Sequence, residues 1–158
     1  MIILGIDPGT ATTGYGIVKK SRGFKCLDYG VIRTKPNSNP GERLKKINNE
    51  ISKIIKKYQP DFLAIESLYF FRNFKTAIPV SQAKGSILLT AAKKKLPVKE
   101  FTPLQIKLAV AGNGRADKKD VKESLKKIFV LDKEPQPDDA HDAIAVALTC
   151  FSKKVKEI

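Results

Sequence analysis

The chain opens on an alternation of apolar runs and glycine turns. Ile2-Ile3-Leu4-Gly5-Ile6 is followed by Gly14-Tyr15-Gly16-Ile17-Val18 and by a run from Phe24 to Ile32, with Lys-Lys-Ser-Arg-Gly between the last two. Short apolar segments punctuated in this way predict three adjacent antiparallel strands. From Leu44 the period changes. Leu44, Ile47, Ile51, Ile54, Ile55 and Tyr58 recur every three or four positions, which predicts a helix. Asn39-Pro40-Gly41-Glu42 offers it a cap, a first-turn proline and an acidic residue, and Gln59-Pro60 stops it. Phe62-Leu63-Ala64-Ile65 is a continuous apolar run, the pattern of a strand covered on both faces.

Residues 77–95 read as a second helix with the small residues Ala83, Gly85, Ser86 and Ala91 inside it, and Val98–Phe101 as a fifth strand. Thr102-Pro103-Leu104-Gln105 has capping-box spacing. Asp117 opens a helix bearing Val121, Leu125, Ile128 and Phe129, and Pro135 and Pro137 precede a last helix from about Asp138 to Lys154. The expected order is βββαβαβααα with no repeat or linker. That predicts one α/β domain over residues 1–158, a mixed five-stranded sheet flanked by helices.

Charge sharpens this picture. The 158 residues carry 30 Lys+Arg against 16 Asp+Glu, a formal charge of +14, which points to a polyanionic partner. Apolar residues at 42% and charged ones at 29% are those of a globular protein and exclude disorder. No apolar run reaches the roughly 18 residues of a membrane span, and MIILGIDPGT lacks the features of a signal peptide, so the expected location is the cytoplasm. Cys26 and Cys150 lack metal-ligand spacing and read as free thiols, which argues against zinc.

In so basic a chain the informative residues are the carboxylates placed where burial makes them costly. Asp7 and Glu66 directly follow apolar strands, at the sheet edge where open α/β folds bind ligands. Asp139 and Asp142, three positions apart, share one side of the last helix, whose apolar stripe of Ala140, Ala143, Ile144, Ala147, Leu148 and Phe151 holds it to the protein body. Simpler readings stand beside these: favourable charge at a helix amino terminus for Asp139 and Asp142, with Asp138 as the cap, and an Asx turn for Asp7 before Pro8-Gly9. None covers Glu66. Four carboxylates at one edge would repel one another unless divalent cations neutralised them, and oxygen-only ligands suit Mg2+ or Mn2+. Two such ions about 4 Å apart can clamp the attacking and leaving oxygens of a phosphodiester. His141 falls one residue before Asp142 and reads as a solvated or hydrogen-bonded imidazole rather than a ligand.

Gly5-Ile6-Asp7-Pro8-Gly9, Ala64-Ile65-Glu66, Gly112-Asn113-Gly114-Arg115-Ala116-Asp117-Lys118 and Asp139-Ala140-His141-Asp142-Ala143-Ile144-Ala145 together resemble the RuvC family of crossover junction endodeoxyribonucleases. The resemblance spans essentially the whole chain. It implies a ribonuclease H-like fold and a homodimer that resolves Holliday junctions, four-way DNA, by paired symmetric nicks in recombination and repair. It implies two Mg2+ per active site, replaceable by Mn2+, and the branch-migration proteins RuvA and RuvB as partners. By position it makes Asp7, Glu66, Asp139 and Asp142 the metal-binding, catalytic carboxylates and Lys107 and Lys118 basic residues at the cleaved strand.

The remaining charge suits DNA. Lys118, Lys119, Lys122 and Lys126 form a cationic strip opposite Val121, Leu125 and Phe129, with Arg115 in the preceding loop. Tyr69, Phe70, Phe71 and Phe74 interleave with Arg72 and Lys75 directly after Glu66. Such clusters often form core or dimer contacts, yet they also make stacking surfaces for exposed bases. The resemblance makes Tyr69 the candidate base contact, with Arg72 and Lys75 beside it. The helix over 77–95 is the candidate dimer face, because Ile87, Leu88 and Leu89 exceed what one face against a sheet requires. Two rivals exist. Asp7-Pro8-Gly9-Thr10 also resembles the phosphate loop of actin-like ATPases and sugar kinases, but these need a second lobe that the chain is too short to supply. A catalytically silent junction-binding protein would have no use for the carboxylate set.

Overall fold

Ile2–Asp7 forms the middle strand, β1, of the sheet in the computed structural model of the chain, which describes residues 1–67, 74–129, 137–153 and 155, with the side chains of 74–76 left aside. Around it stand β2 (Thr12–Lys20), β3 (Phe24–Arg33), β4 (Phe62–Glu66) and β5 (Val98–Phe101), in the order β3-β2-β1-β4-β5. The first three strands pair antiparallel, and β1, β4 and β5 run parallel. This is the mixed sheet expected from the sequence. A register shift between Ile17 and Val18 bulges β3 at the edge.

Period two divides each strand between two cores. Leu4, Ile6, Ile17, Leu63 and Ile65 pack with Ile47, Ile51 and Ile55 of α1 (Pro40–Tyr58) and Ala83, Ile87 and Ala91 of α2 (Phe74–Lys93). Ile3, Val18, Ala64 and Phe101 pack on the other face with Ile106 and Val110 of α3 (Pro103–Ala111), Leu125 of α4 (Lys118–Phe129) and Ile144 to Leu148 of α5 (Asp138–Thr149). Asp7 and Glu66 continue the second series, two residues beyond Gly5 and Ala64. Strand geometry therefore turns both carboxylates toward the α3-α4-α5 side.

Helix starts follow the sequence signals. Asn39 accepts a hydrogen bond from the Gly41 N–H at 2.8 Å, and Thr102 and Gln105 form the reciprocal capping box. Asp117 caps α4, with its carboxylate accepting from the Asp120 N–H at 2.8 Å while Asp120 accepts from the Asp117 N–H at 3.0 Å. Three expectations need correction. The helix expected over 77–95 spans Phe74–Lys93, with Pro79 inside it. Asp138 is not the cap of α5: Pro137 occupies that position without a side-chain hydrogen bond, and Asp138 turns instead to Lys122. The last helix ends at Thr149 rather than near Lys154, because the Phe151 and Ser152 N–H groups bond three residues back and the Phe151 ring packs on Phe24.

Glycines set how closely α5 lies on the sheet. A Cβ at Gly5 would overlap the Ala143 carbonyl oxygen, one at Gly14 would overlap the Asp139 carbonyl oxygen, and one at Gly16 would stand 2.7 Å from Ile144 Cγ1. Gly14 is also the β-ladder partner of Asp7. Its missing side chain is what lets the backbone of Asp139 settle beside that aspartate. Gly14→Ala is expected to lift the first turn of α5, at the roughly 1–3 kcal/mol typical of overpacking. Calorimetry should show a lower Tm and a weaker stabilising response to added divalent cation. A Tm and cation response equal to those of Gly23→Ala, where a Cβ meets nothing within 4 Å, would refute this role.

Candidate active site

Three elements carry acids to one edge of the sheet: Asp7 at the end of β1, Glu66 at the end of β4, and Asp139 and Asp142 in the first turns of α5. Burial first, then Glu66, Asp142 and Asp139 in that order, push Asp7 up to about 8, with Lys118 opposing. Burial and the charge of Asp142 push Glu66 up to about 7, against Lys118 and Lys107. These shifts are the electrostatic sign that the four carboxylates share one site. Lys118 Nζ stands 3.3 Å from Asp142 Oδ2, and that carboxylate in turn holds the ammonium above its ordinary pKa. Among the described residues no three such side chains are yet drawn around one point as ligands.

The donor set fits a hard divalent cation. It consists of carboxylate oxygens, two of them half-buried and held toward the neutral form by burial and by the charge of neighbouring carboxylates, the strain that a cation relieves. No thiol joins them: neither Cys26 nor Cys150 is in a disulfide, and burial pushes the Cys26 thiol up to about 11.

Other expectations fall out differently. Lys107 and Lys118 line the cleft beside Glu66 and Asp142. Lys122 does not simply project from the basic strip; its ammonium lies 2.7 Å from Asp138 and pulls that carboxyl below its usual range. Lys119, Lys126 and Arg115 are exposed near it. His141 is buried at 1% exposure on the core side of α5, so the solvated imidazole is excluded. Gly85 does not bring α2 close to its own sheet, because a Cβ there would meet nothing within 4 Å. Leu88 leans into the α1-α2 core, whereas Leu89 is 53% and Ile78 68% exposed. Tyr69 and Arg72 lie outside the described residues, as does the side chain of Lys75.

Sequence reasoning missed one pair. Lys84 Nζ of α2 meets Glu100 Oε2 of β5 at 2.6 Å, and the Ser67 hydroxyl donates to the same oxygen at 3.4 Å, tying α2 to the residue after Glu66. The available signal was an acid inside the short strand Val98–Phe101.

A ribonuclease H-like sheet with acids gathered at the carboxyl ends of its parallel strands and at the start of the facing helix defines a metal-dependent nuclease class. The comparisons give the member. The family model described as crossover junction endodeoxyribonuclease RuvC matches residues 3–150. The RuvC of Finegoldia magna is 50% identical over 158 residues, covering 99% of this chain and 96% of that protein. The Fusobacterium nucleatum protein is 44% identical over 150 residues, 94% of this chain and 79% of its own length. The solved structure of Thermus thermophilus RuvC in complex with Holliday junction substrate matches with a TM-score of 0.92 at 31% identity, covering 100% of this chain and 99% of that one. The chain belongs to the RuvC family of crossover junction endodeoxyribonucleases.

Proposed function

We propose that residues 1–158 act as one nuclease domain that resolves four-way DNA junctions by paired symmetric nicks in recombination and repair. The gathering of Asp7, Glu66, Asp139 and Asp142 at one sheet edge, the last three each raising the proton affinity of Asp7, carries this reading. These four would hold Mg2+, two ions per site, with Mn2+ able to substitute. Bound there, the ions would supply Lewis-acid polarisation of the phosphate and a nucleophilic water near neutral pH. The protein's own groups do the rest. The carboxylates fix the site, Lys107 and Lys118 steady charge on the phosphate oxygens, and the close seat of α5 on Gly5, Gly14 and Gly16 keeps Asp139 and Asp142 in place. Lys118 must leave Asp142 when it turns to the phosphate.

Family membership supports further partners: a second copy of the chain, and the RuvA and RuvB branch-migration proteins. The candidate interface is the outer stripe of α2, where Ile78, Gln82, Gly85 and Leu89 are exposed at helical spacing. Among the described residues no helix is long and apolar enough to cross a membrane, and a cytoplasmic site of action fits a DNA substrate.

Cleavage of a synthetic four-way junction, beside linear duplex and RNA–DNA hybrid, tests the reading. Symmetric nicks in the junction alone support it, and equal cutting of all three substrates overturns junction selectivity. The basic surface has its own test. Lys119→Ala and Lys126→Ala are expected to weaken junction binding and each lower the slope of log K against log salt by about 1, the sign of a phosphate contact. Lys107→Ala and Lys118→Ala should depress turnover more than affinity. An unchanged salt slope in the first pair would remove α4 from the DNA footprint. Asp138→Asn should weaken the hold of Lys122 and cost at most about 1 kcal/mol, since the pair is largely solvated.

A further inference from the structure

Most of the positive charge does not lie on the side of the chain that builds α3, α4 and α5. Residues 103–158 carry 11 Lys+Arg against 9 Asp+Glu, whereas residues 1–102 carry 19 against 7. Part of that surplus gathers at the far pole of the sheet, where β1, β4 and β5 begin and β2, α1 and α2 end. At about 3.3 Å per residue, the length of β1 sets this pole roughly 15–20 Å behind Asp7. Lys19 and Lys25 stand directly opposite one another across β2 and β3, on the α1 side by their spacing from Ile17. Like charges so opposed destabilise a sheet. The end of α1 adjoins them through Asp28, whose carboxylate accepts from the Tyr58 hydroxyl and lies 3.7 Å from Lys57. Beyond it a groove of about 470 Å3 is lined by Lys56, Gln59, Asp61, Lys94 and Lys95. Asp61 is already engaged, accepting from the Ile2 N–H at 2.6 Å. Among the described residues none of Lys19, Lys25, Lys56, Lys94 and Lys95 pairs with an acid.

Lys95 adds a second anomaly. The end of α2 closes with the Leu96 N–H on the Ala91 carbonyl and the Lys95 N–H on the Ala92 carbonyl, both at 3.0 Å, which leaves Lys95 at the left-handed position with φ 53°. Glycine is the usual residue there, because a side chain costs stability. Cations in a last helical turn complement the dipole, which accounts for lysines at the ends of α1 and α2. The dipole accounts neither for the opposed pair on the β2-β3 hairpin nor for a lysine where glycine would fit better. We propose that this pole binds the phosphate backbone of a second DNA duplex, separate from the DNA at the carboxylates. Protein interfaces are poor in lysine and rich in aromatic anchors, and the groove is lined without an aromatic ring. Lysines act as point charges that suit phosphates of any sequence. DNA at the carboxylate edge has the protein body between it and the pole, so the two sites are filled by different segments. A protein seated on a junction would thereby hold a neighbouring duplex, and this binding needs neither the carboxylates nor a metal.

The test immobilises a four-way junction on beads, loads it with Asp7→Asn protein without divalent cation, and adds a fluorescent linear duplex. The loaded beads are expected to capture the duplex, and beads without protein are not. Lys19→Gln, Lys25→Gln and Lys95→Gly, combined on the same background, should abolish capture while the junction stays bound. In the free protein the same three substitutions should lower the slope of log K against log salt for duplex binding by about 2 to 3. With Asp7 restored, the triple variant should cut junctions at the wild-type rate. Its Tm should lie at or above that of wild type, because the like-charge opposition and the left-handed lysine are both removed. Lost capture with an undiminished Tm is a result that misfolding does not give. No capture by the loaded beads, capture indifferent to the three substitutions, or a Tm that falls along with capture overturns the proposal. So does tighter retention of an acidic peptide or an anionic vesicle than of the duplex. Beads that retain no protein overturn the junction reading instead; the salt slope of the free protein then decides, and an unchanged slope in the triple variant overturns the second site.

Discussion

Asp7→Asn is expected to stop junction cleavage while making the metal-free protein more resistant to heat at pH 8. The loss of turnover should exceed the 10–100-fold typical of changes one layer out from a metal ligand, because the substitution removes a ligand charge itself. Junction binding should persist, since the basic surface is untouched. The stability gain follows from the direction of the pKa shift. The folded state holds a proton on Asp7 up to about pH 8, whereas the unfolded chain releases it near 3.8. Between these values the folded state binds more protons, so stability falls as pH rises and its loss is complete above the folded pKa. Glu66 adds the same sign of slope between 4.5 and about 7. Metal-free wild type should therefore lose Tm from pH 5 to 8.5, with about 2–4 °C for each kcal/mol in a domain of this size. Asp7→Asn should flatten that decline and lie above wild type at pH 8.5. Cation binding must displace the retained protons, so Mg2+ affinity should climb over the same interval. A metal-free Tm indifferent to pH, measured by calorimetry in chelator, would show that the carboxylates do not share one buried site.

The same repulsion explains what could be read in the sequence. Asp7 and Glu66 were visible as acids at the ends of apolar runs, and strand period fixes the face they take. Asp139 and Asp142 were legible as a pair on one helix side, and their joining to Asp7 depends on Gly5, Gly14 and Gly16, which look in sequence like turn residues. A glycine that removes a collision cannot be told from one that bends the chain until the facing helix is placed. Asp138 and Lys122 show the reverse failure: both fit a local role, cap and cationic strip, and a contact across 16 positions overrides both. Ala145 and Val146, which line the cleft beside Glu66 and Asp142, were hidden because they belong to an ordinary apolar helix stripe, and only the neighbouring helices decide which part of that stripe stays uncovered. Of the two readings of His141, solvated or hydrogen-bonded, the first fails for a related reason, since its offset from Asp142 turns it inward on a helix buried nearly all round.

Leu89→Asp is expected to convert coordinated resolution into isolated nicks. A four-way junction has near two-fold symmetry and requires two opposed cuts, and the proposed carboxylate site occurs once among the described residues, so the proposed resolution calls for a second copy to supply the other site. The stripe of Ile78, Gln82, Gly85 and Leu89 on α2 is where the described surface is most suited to a copy of itself. Leu89 and Ile78 are exposed where solvent gains nothing from them, and the missing side chain at Gly85 opens the middle of the stripe to close approach. A glycine inside a helix costs about 1 kcal/mol relative to alanine. Among the described residues a Cβ at Gly85 would meet nothing within 4 Å, so the glycine relieves no crowding there, and a facing helix would give it a use. Placing two aspartates against one another across an isologous apolar interface combines lost burial with like-charge repulsion. Sedimentation at micromolar concentration should therefore change from a species near twice 17.5 kDa to one near that mass. Leu88→Asp is a poorer probe, because Leu88 supports the α1-α2 core and its loss would unfold the chain as well. On a junction carried by a supercoiled cruciform, Leu89→Asp should yield nicked circles where wild type yields linear product. Linear product formed at the wild-type rate by a monomeric Leu89→Asp protein would remove α2 from the interface and require the paired sites to be brought together by the junction alone.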